Sequence, residues 1–153
     1  MLSRKDNQWL DLCLSGAQIF STCAKKQYFC LIVNDNNMIV GQGYNGVPGN
    51  MKHCADGGCP RFINQVPSGT PYDSGPGLCF SGHAEQNALA RSNAFELSGS
   101  TLYVNGLPCF TCAKQIASAG IKRCVFSFES DRIDWKDTEK FLTSLSINLE
   151  VRK

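Results

Sequence analysis

The chain has 153 residues, 42% of them hydrophobic, which is typical of one domain with its own core. Its formal net charge is only +2, from 15 basic and 13 acidic residues, so the sequence lacks the strong positive charge expected of a protein that binds nucleic acid. No apolar run approaches the roughly 20 residues of a membrane span, and the N-terminal segment lacks the features of a signal peptide. We therefore expect a single domain, 1–153, in the cytoplasm.

Cysteine is the most informative residue type, with nine copies. An odd number of cysteines without an export signal argues against a disulfide framework. It favours thiolate metal ligands, with the remaining thiols buried as small apolar groups. Cys13, Cys30 and Cys124 fall at predicted inward-facing positions, and we assign them to the core.

The N-terminal half predicts a helix and then a hairpin. From Asp6 to about Cys23, apolar side chains recur at intervals of three and four, the period of a helix with one buried face. Two strands, over 28–33 and 38–41, flank an Asn-Asp-Asn-Asn run that tolerates left-handed turn geometry. Residues 45–81 have no periodicity, so something other than a core must order this long connection.

Helices and strands alternate in the second half of the chain. Ser81 can cap a helix over 82–94, a strand is predicted over 101–104, and a helix runs from Cys109 to a stop at Gly120. A strand over 124–128, a helix over 135–145 and a strand over 147–151 complete the chain. This order predicts an α/β fold in three layers, with helices on both faces of one central sheet.

Two short motifs at predicted helix starts carry the chemistry: His83-Ala84-Glu85 and Pro108-Cys109-Phe110-Thr111-Cys112. The C-x-x-C spacing lets both thiolates face one ion, and the positive helix end favours their charged form. An imidazole from the other helix makes three protein ligands. Three ligands with an open fourth position are typical of catalytic zinc, which lowers the pKa of a bound water to about 7. Glu85 is placed to move protons without binding the metal.

A closed structural zinc site or a redox-active C-x-x-C pair would also use these cysteines. A redox pair does not require His83 and Glu85 at a second helix start, and a structural zinc has no use for Glu85. The combination of H-x-E with P-C-x-x-C is instead the signature of zinc-dependent nucleobase deaminases. The sequence therefore predicts hydrolytic deamination, with Glu85 as the catalytic residue.

From about Ser21 to Arg132 the chain resembles the cytidine deaminase-like superfamily, and within it the deoxycytidylate deaminases. Besides the two motifs, the similarity includes four runs: Gly43-Tyr44-Asn45-Gly46, His83 to Ala88, Cys112 to Ile116, and Ala119-Gly120-Ile121-Lys122. The resemblance implies a central mixed five-stranded sheet in the three-layer fold. It also implies hydrolysis of deoxycytidine monophosphate (dCMP) to dUMP and ammonia, which supplies dUMP for thymidylate synthesis.

The resemblance further implies binding residues and regulation. Asn45 and Ala84 would lie at the nucleotide pocket, and Lys25 and Arg132 would lie near the phosphate. Many members form hexamers that are activated by dCTP with Mg²⁺ and inhibited by dTTP, with Gly43, Tyr44, Asn45 and Gly46 near the regulatory site. Asn beside Gly is also a common turn pair, and the two cations are equally consistent with a solvated surface.

A second group of cysteines lies in and beside the loop over about 45–81. It comprises Cys23, Cys54, Cys59 and Cys79. Phage and bacterial deaminases of the resembled type carry a second, structural zinc, whose ligand positions these residues match approximately, with His53 as an alternative ligand. Such a zinc would hold the loop to the first helix and to the segment that enters the active site. The alternative is four free thiols.

The chain departs from the family in its first strand. It has Tyr28-Phe29-Cys30 where the family usually has Val-Gly-Ala, so a large ring replaces a glycine. We expect Phe29 to reshape the base pocket, which leaves a 5-substituted dCMP open as the substrate. Two other classes also stay open. One is a deaminase that edits tRNA or single-stranded DNA, and the other is a zinc-stabilised binding module without activity, against which Glu85 counts.

Overall fold

The computed structural model describes residues 1–127 and 135–152. The helices in this part of the chain are α1 (Arg4–Phe20), α2 (Pro60–Ile63), α3 (Ala84–Ala90), α4 (Ala94–Leu97), α5 (Phe110–Ser118) and α6 (Trp135–Ser144). The strands are β1 (Phe29–Val33), β2 (Ile39–Tyr44), β3 (Thr101–Val104), β4 (Arg123–Phe126) and β5 (Asn148–Val151). Within these ranges, no helix is both long and apolar enough to cross a membrane.

The five strands form one mixed sheet in the order β2-β1-β3-β4-β5. Strand β1 pairs antiparallel with β2 on one side and with the central strand β3 on the other, whereas β3, β4 and β5 run parallel to one another. Parallel neighbours need a crossover connection, and α5 and α6 provide the two crossovers. The segment that leads into α5 therefore starts at the carboxyl end of β3.

Helices cover both faces of the sheet. On one face α1 buries Leu10, Cys13 and Ala17 against β1. On the other face α3, α5 and α6 surround a second core, to which Cys30 and Cys124 contribute. The predicted three-layer α/β/α arrangement around a mixed five-stranded sheet is confirmed, and the three cysteines assigned to the core are fully buried.

Phe29 does not lie at the base pocket, where the resemblance to the family placed it. Alternate residues of a strand point to opposite faces, so Phe29 joins the core under α1 while Cys30 faces α3 and α5. The Phe29 ring packs against Gly16, where a Cβ would come within 2.9 Å of two ring carbons. The expectation that Phe29 reshapes the base pocket was wrong, because its ring points away from the face that carries the catalytic motifs.

Several boundaries also differ from the predictions. Helix α1 ends at Phe20, so Cys23 lies in the following loop rather than at the helix end. The helix predicted over 82–94 breaks after Ala90, and α4 has its own cap, the Asn93 side chain, which accepts from the Phe95 N–H. The N-cap of α3 is His83 and not Ser81.

The close packing of α1 on β1 gives a testable prediction. We expect Gly16→Ala to lower the free energy of unfolding, because overpacking of a core costs about 1–3 kcal/mol. That exceeds the roughly 0.5–1 kcal/mol that alanine gains over glycine inside a helix. Urea denaturation measures the difference, with Ser15→Ala at an exposed position of the same helix as the control. A Gly16→Ala protein as stable as the Ser15→Ala protein would contradict this packing.

Candidate active site

His83 and Glu85 owe their positions to the start of α3. His83 is the N-cap, and the Gln86 side chain accepts from the His83 backbone N–H at 2.9 Å. Glu85 belongs to the first turn and is buried. The imidazole and the carboxyl group are therefore carried by the same rigid helix start.

The segment 43–46 docks this helix onto the sheet. Gly43 has no side chain, and a Cβ there would lie only 2.3 Å from the backbone nitrogen of Ala88. Asn87 donates from Nδ2 to the Tyr44 carbonyl at 2.8 Å. Gly46 and Gly82 exchange two backbone hydrogen bonds of 2.9 and 3.2 Å. Gly43 thus has a structural part, which is to let α3 approach β2 closely.

Three ligand atoms converge where α3 and α5 begin. Cys109 is the N-cap of α5, and its Sγ accepts from the Cys112 N–H at 3.4 Å. His83 Nδ1 lies 3.4 Å from Cys109 Sγ and 3.4 Å from Cys112 Sγ. Tetrahedral zinc with bonds of about 2.0 Å to nitrogen and 2.3 Å to sulfur separates such atoms by about 3.5 Å. The three predicted ligands therefore fit zinc as they stand.

The protonation of the site also suits a cation. A hydrogen bond from Cys112, supported by His83, lowers the pKa of the Cys109 thiol. The same hydrogen bond raises the pKa of Cys112, and the contact with Cys109 raises the pKa of His83. The thiolate form of Cys109 suits a cation, and a metal ion that binds here displaces the thiol proton of Cys112 and the extra proton that the raised pKa favours on His83.

Glu85 lies beside the ligands without being one of them. In the described part of the chain, the group whose ligand atoms all lie within 4.8 Å of one another is His83, Cys109 and Cys112. Burial raises the pKa of the Glu85 carboxyl, which also has a hydrogen bond with the Cys112 side chain. A buried carboxyl group of raised pKa beside a three-ligand metal site is suited to proton transfer.

Two buried asparagines fix the segment that enters β1. From the end of β2, Asn45 accepts from the Tyr28 N–H at 2.8 Å and donates to the Lys26 carbonyl at 2.7 Å. From the end of β3, Asn105 accepts from the Phe29 N–H at 2.7 Å and donates to the Gln27 carbonyl at 2.9 Å. Each side-chain amide therefore extends the backbone ladder of the sheet by one step.

The other predicted binding residues are distributed as follows. Ala84 is buried at the first position of α3, next to His83. Lys25 is exposed, in the segment between α1 and β1. Arg132 lies outside the described residues. The sequence analysis did not single out Asn105, although its position directly after the predicted strand 101–104 was an available signal.

Cys54 lies beside Cys59, and the Cys23 and Cys79 thiols are near enough to act on its pKa, but these four sulfurs do not form a group within 4.8 Å of one another. Burial, and then the neighbouring Cys59 thiol, raise the pKa of Cys54 to about 11, and Cys23 and Cys79 contribute in the same direction. The Ala55 N–H donates to the Thr22 carbonyl at 2.9 Å, so the loop is tied to the segment after α1. The His53 side chain is half exposed, and its Nδ1 lies 3.6 Å from Oδ2 of Asp56.

A three-layer α/β/α fold with a His-Cys-Cys group and a buried glutamate at two helix starts defines a hydrolytic deaminase of the zinc-dependent class. Comparison with known proteins agrees. The sequence profile described as the cytidine and deoxycytidylate deaminase zinc-binding region matches residues 3–128. The chain belongs to this family.

Individual relatives are similar over most of the chain. A deoxycytidylate deaminase of Mycobacterium phage D29 is 37% identical over 126 residues, which cover 82% of this chain and 95% of the phage protein. The deoxycytidylate deaminase of Homo sapiens is 42% identical over 98 residues, but these cover 62% of this chain and only 49% of the human protein. The crystal structure of dCMP deaminase from cyanophage S-TIM5 in complex with dCMP and dUMP has a TM-score of 0.70 and 25% identity, and the match covers 99% and 98% of the two chains.

The ligand geometry predicts how metal content responds to substitution. We expect Cys109→Ser to lose one zinc per chain, because it removes one of three protein ligands. Atomic absorption on the purified protein measures the loss. Cys13→Ala, which removes a buried thiol on the other face of the sheet, is the control and should keep the full metal content. Equal zinc contents in Cys109→Ser and Cys13→Ala would contradict a zinc site that includes Cys109.

Proposed function

We propose that this protein hydrolyses dCMP to dUMP and ammonia, using zinc held by His83, Cys109 and Cys112. The observation that carries the proposal is the buried Glu85 beside three ligand atoms that already have the spacing of a zinc site. Support for the substrate comes from the relatives named deoxycytidylate deaminase and from the similarity to the cyanophage enzyme in complex with dCMP and dUMP.

The chemistry divides between the metal and the protein. When bound, zinc with three protein ligands lowers the pKa of a water in its open position to about 7, and so supplies hydroxide at neutral pH. Glu85 would take a proton from the attacking water and pass it to the ring nitrogen of cytosine. It would then take the proton of the new hydroxyl group on C4 and pass it to the amino group, which leaves as ammonia while the C4 carbonyl forms. The raised pKa of Glu85 favours this exchange, because the carboxyl group must hold and release a proton in each turnover.

Nucleotide contacts are proposed for Asn45, Ala84, Lys25 and Arg132. The Nδ2 of Asn45 carries two hydrogens, and its bond to the Lys26 carbonyl uses one of them. The second hydrogen is the donor we assign to a sugar hydroxyl. Lys25 is exposed, two residues before the segment fixed by Asn105, and we assign its ammonium group to the phosphate of the nucleotide.

Activity is tested by incubating the zinc-loaded protein with dCMP and measuring ammonia and ultraviolet absorbance. We expect turnover to dUMP, and we expect Glu85→Gln to lower kcat by a factor of about 10²–10⁴, because it removes the general acid-base. Glu96→Gln, at an exposed position on α4, is the control and should leave kcat unchanged. An inactive wild-type protein, or a Glu85→Gln protein as active as the control, would refute the proposed function.

We also propose a second, structural zinc bound by Cys23, Cys54, Cys59 and Cys79. Its support is that Cys23, Cys59 and Cys79 all lie near enough to Cys54 to raise the pKa of its thiol. Because these four sulfurs do not all lie within 4.8 Å of one another, the bound metal would draw them together. The bound metal would hold the loop over 45–81 in place where a hydrophobic core does not, because metal binding contributes directly to folding.

Metal analysis separates this proposal from four free thiols. Two zinc ions per chain are expected in the wild-type protein and one in Cys54→Ser, which should also melt at a lower temperature. Glu85→Gln keeps all proposed ligands and is the control for metal content. A wild-type protein with one zinc, unaltered by Cys54→Ser, would exclude the second site.

Regulation and assembly remain predictions. These are activation by dCTP with Mg²⁺, inhibition by dTTP, and a hexamer. Because the segment 43–46 docks α3, a nucleotide bound there would act directly on the helix that carries His83 and Glu85. A dCMP deaminase is expected where its mononucleotide substrate is found, in the cytoplasm or in the host cytoplasm if a phage encodes it.

A further inference from the structure

Tyr28 shares the face of the sheet that carries the metal ligands. It directly precedes β1, and alternate residues of an extended segment share a face, so its side chain lies on the same side as Cys30. The ring packs against the core cluster that contains Ala84 and Cys112, and Cys109 packs on the same cluster. Tyr28 is only partly buried. Its partly exposed ring therefore lies on the face of the sheet that carries the metal ligands, at the edge of the core against which Cys109 also packs.

The ring has a backbone surface behind it. A Cβ at Gly106 would lie 2.4 Å from Cε1 of Tyr28 and 2.9 Å from Cδ1. The ring thus occupies the space that a side chain at position 106 would need. Gly106 belongs to the segment between β3 and α5, three residues before Cys109. The aromatic ring and the first cysteine ligand are therefore supported by the same short stretch of chain.

The backbone of Tyr28 is fixed from both sides. Its N–H donates to Asn45 Oδ1 at 2.8 Å, and its carbonyl accepts from the Asn45 N–H at 3.2 Å. The residues on either side, Gln27 and Phe29, are bound to the Asn105 amide. The backbone of Tyr28 is therefore anchored by side-chain amides, and its ring is supported on one side by Gly106.

We propose that Tyr28 is a specificity-determining residue, whose ring, supported by Gly106, forms one wall of the nucleotide pocket and excludes cytosine nucleotides larger than dCMP. The inference rests on the proposed function and adds the residue that selects among its substrates. Phe29, the larger departure from the family by sequence, is on the other face and does not take part.

The test compares kcat/KM for dCMP, 5-methyl-dCMP, 5-hydroxymethyl-dCMP and CMP. For each larger nucleotide, the quantity compared is its kcat/KM divided by that for dCMP. In Tyr28→Val we expect this ratio to rise about tenfold or more over the wild-type value for at least one larger nucleotide. The reason is that a single methylene in an apolar pocket changes kcat/KM by roughly 10–200-fold. Tyr28→Phe keeps the ring and should keep the wild-type ratios. Phe29→Leu, on the opposite face, is the matched control and should also keep them.

Ratios in Tyr28→Val equal to those of the wild-type protein would overturn the inference. If Tyr28→Val does not fold, Gly106→Ala tests the same contact from the other side. The added Cβ should push the ring toward the pocket and lower kcat/KM most for the larger nucleotides, and unchanged ratios would again overturn the inference. A wild-type protein that turns over none of the four nucleotides refutes the proposed function instead, so the two failures are distinguishable.

Discussion

The active site depends on two helix N-termini that meet at one point. His83 is the N-cap of α3 and Cys109 is the N-cap of α5, and their ligand atoms lie 3.4 Å apart. An N-cap residue has extended backbone geometry, so its side chain is held at the helix end, where unpaired N–H groups and the helix dipole favour negative charge. This arrangement stabilises a thiolate, presents an imidazole to it, and leaves Glu85 in the first turn beside both.

The sheet serves to bring these two helix ends together. Gly43 lets α3 lie close to β2, and the parallel pairing of β3 with β4 sends α5 across the same face. Asn45 and Asn105 then extend the sheet with their side-chain amides and hold the entry to β1 beside the site. Residues that the family comparison associates with ligands thus also have a structural part. Substitutions at Asn45 or Gly43 would therefore affect packing as well as the proposed binding.

The grouping of His83, Cys109 and Cys112 near Glu85 was predictable because each of the two motifs depends on local spacing. A C-x-x-C at a helix start and an H-x-E at another specify ligands and a proton carrier without knowledge of the tertiary structure, and the order of strands and helices specified the layers. The position of Phe29 was not predicted correctly. The family comparison identified the unusual residue, but only strand alternation decides which face it occupies. The break after Ala90 was missed because Asn93 offers a new cap inside a run with helical periodicity. Loop 45–81, without periodicity, gave no basis for placing its turns or its cysteines.

The central claim is that His83, Cys109 and Cys112 form a three-ligand zinc site with an open position. Zinc X-ray absorption on a variant with Cys54→Ser and Cys59→Ser, which removes ligands of the proposed second site, tests it most directly. The account predicts two sulfur neighbours at about 2.3 Å and two nitrogen or oxygen neighbours at about 2.0 Å. Four sulfur neighbours, or none, would contradict it.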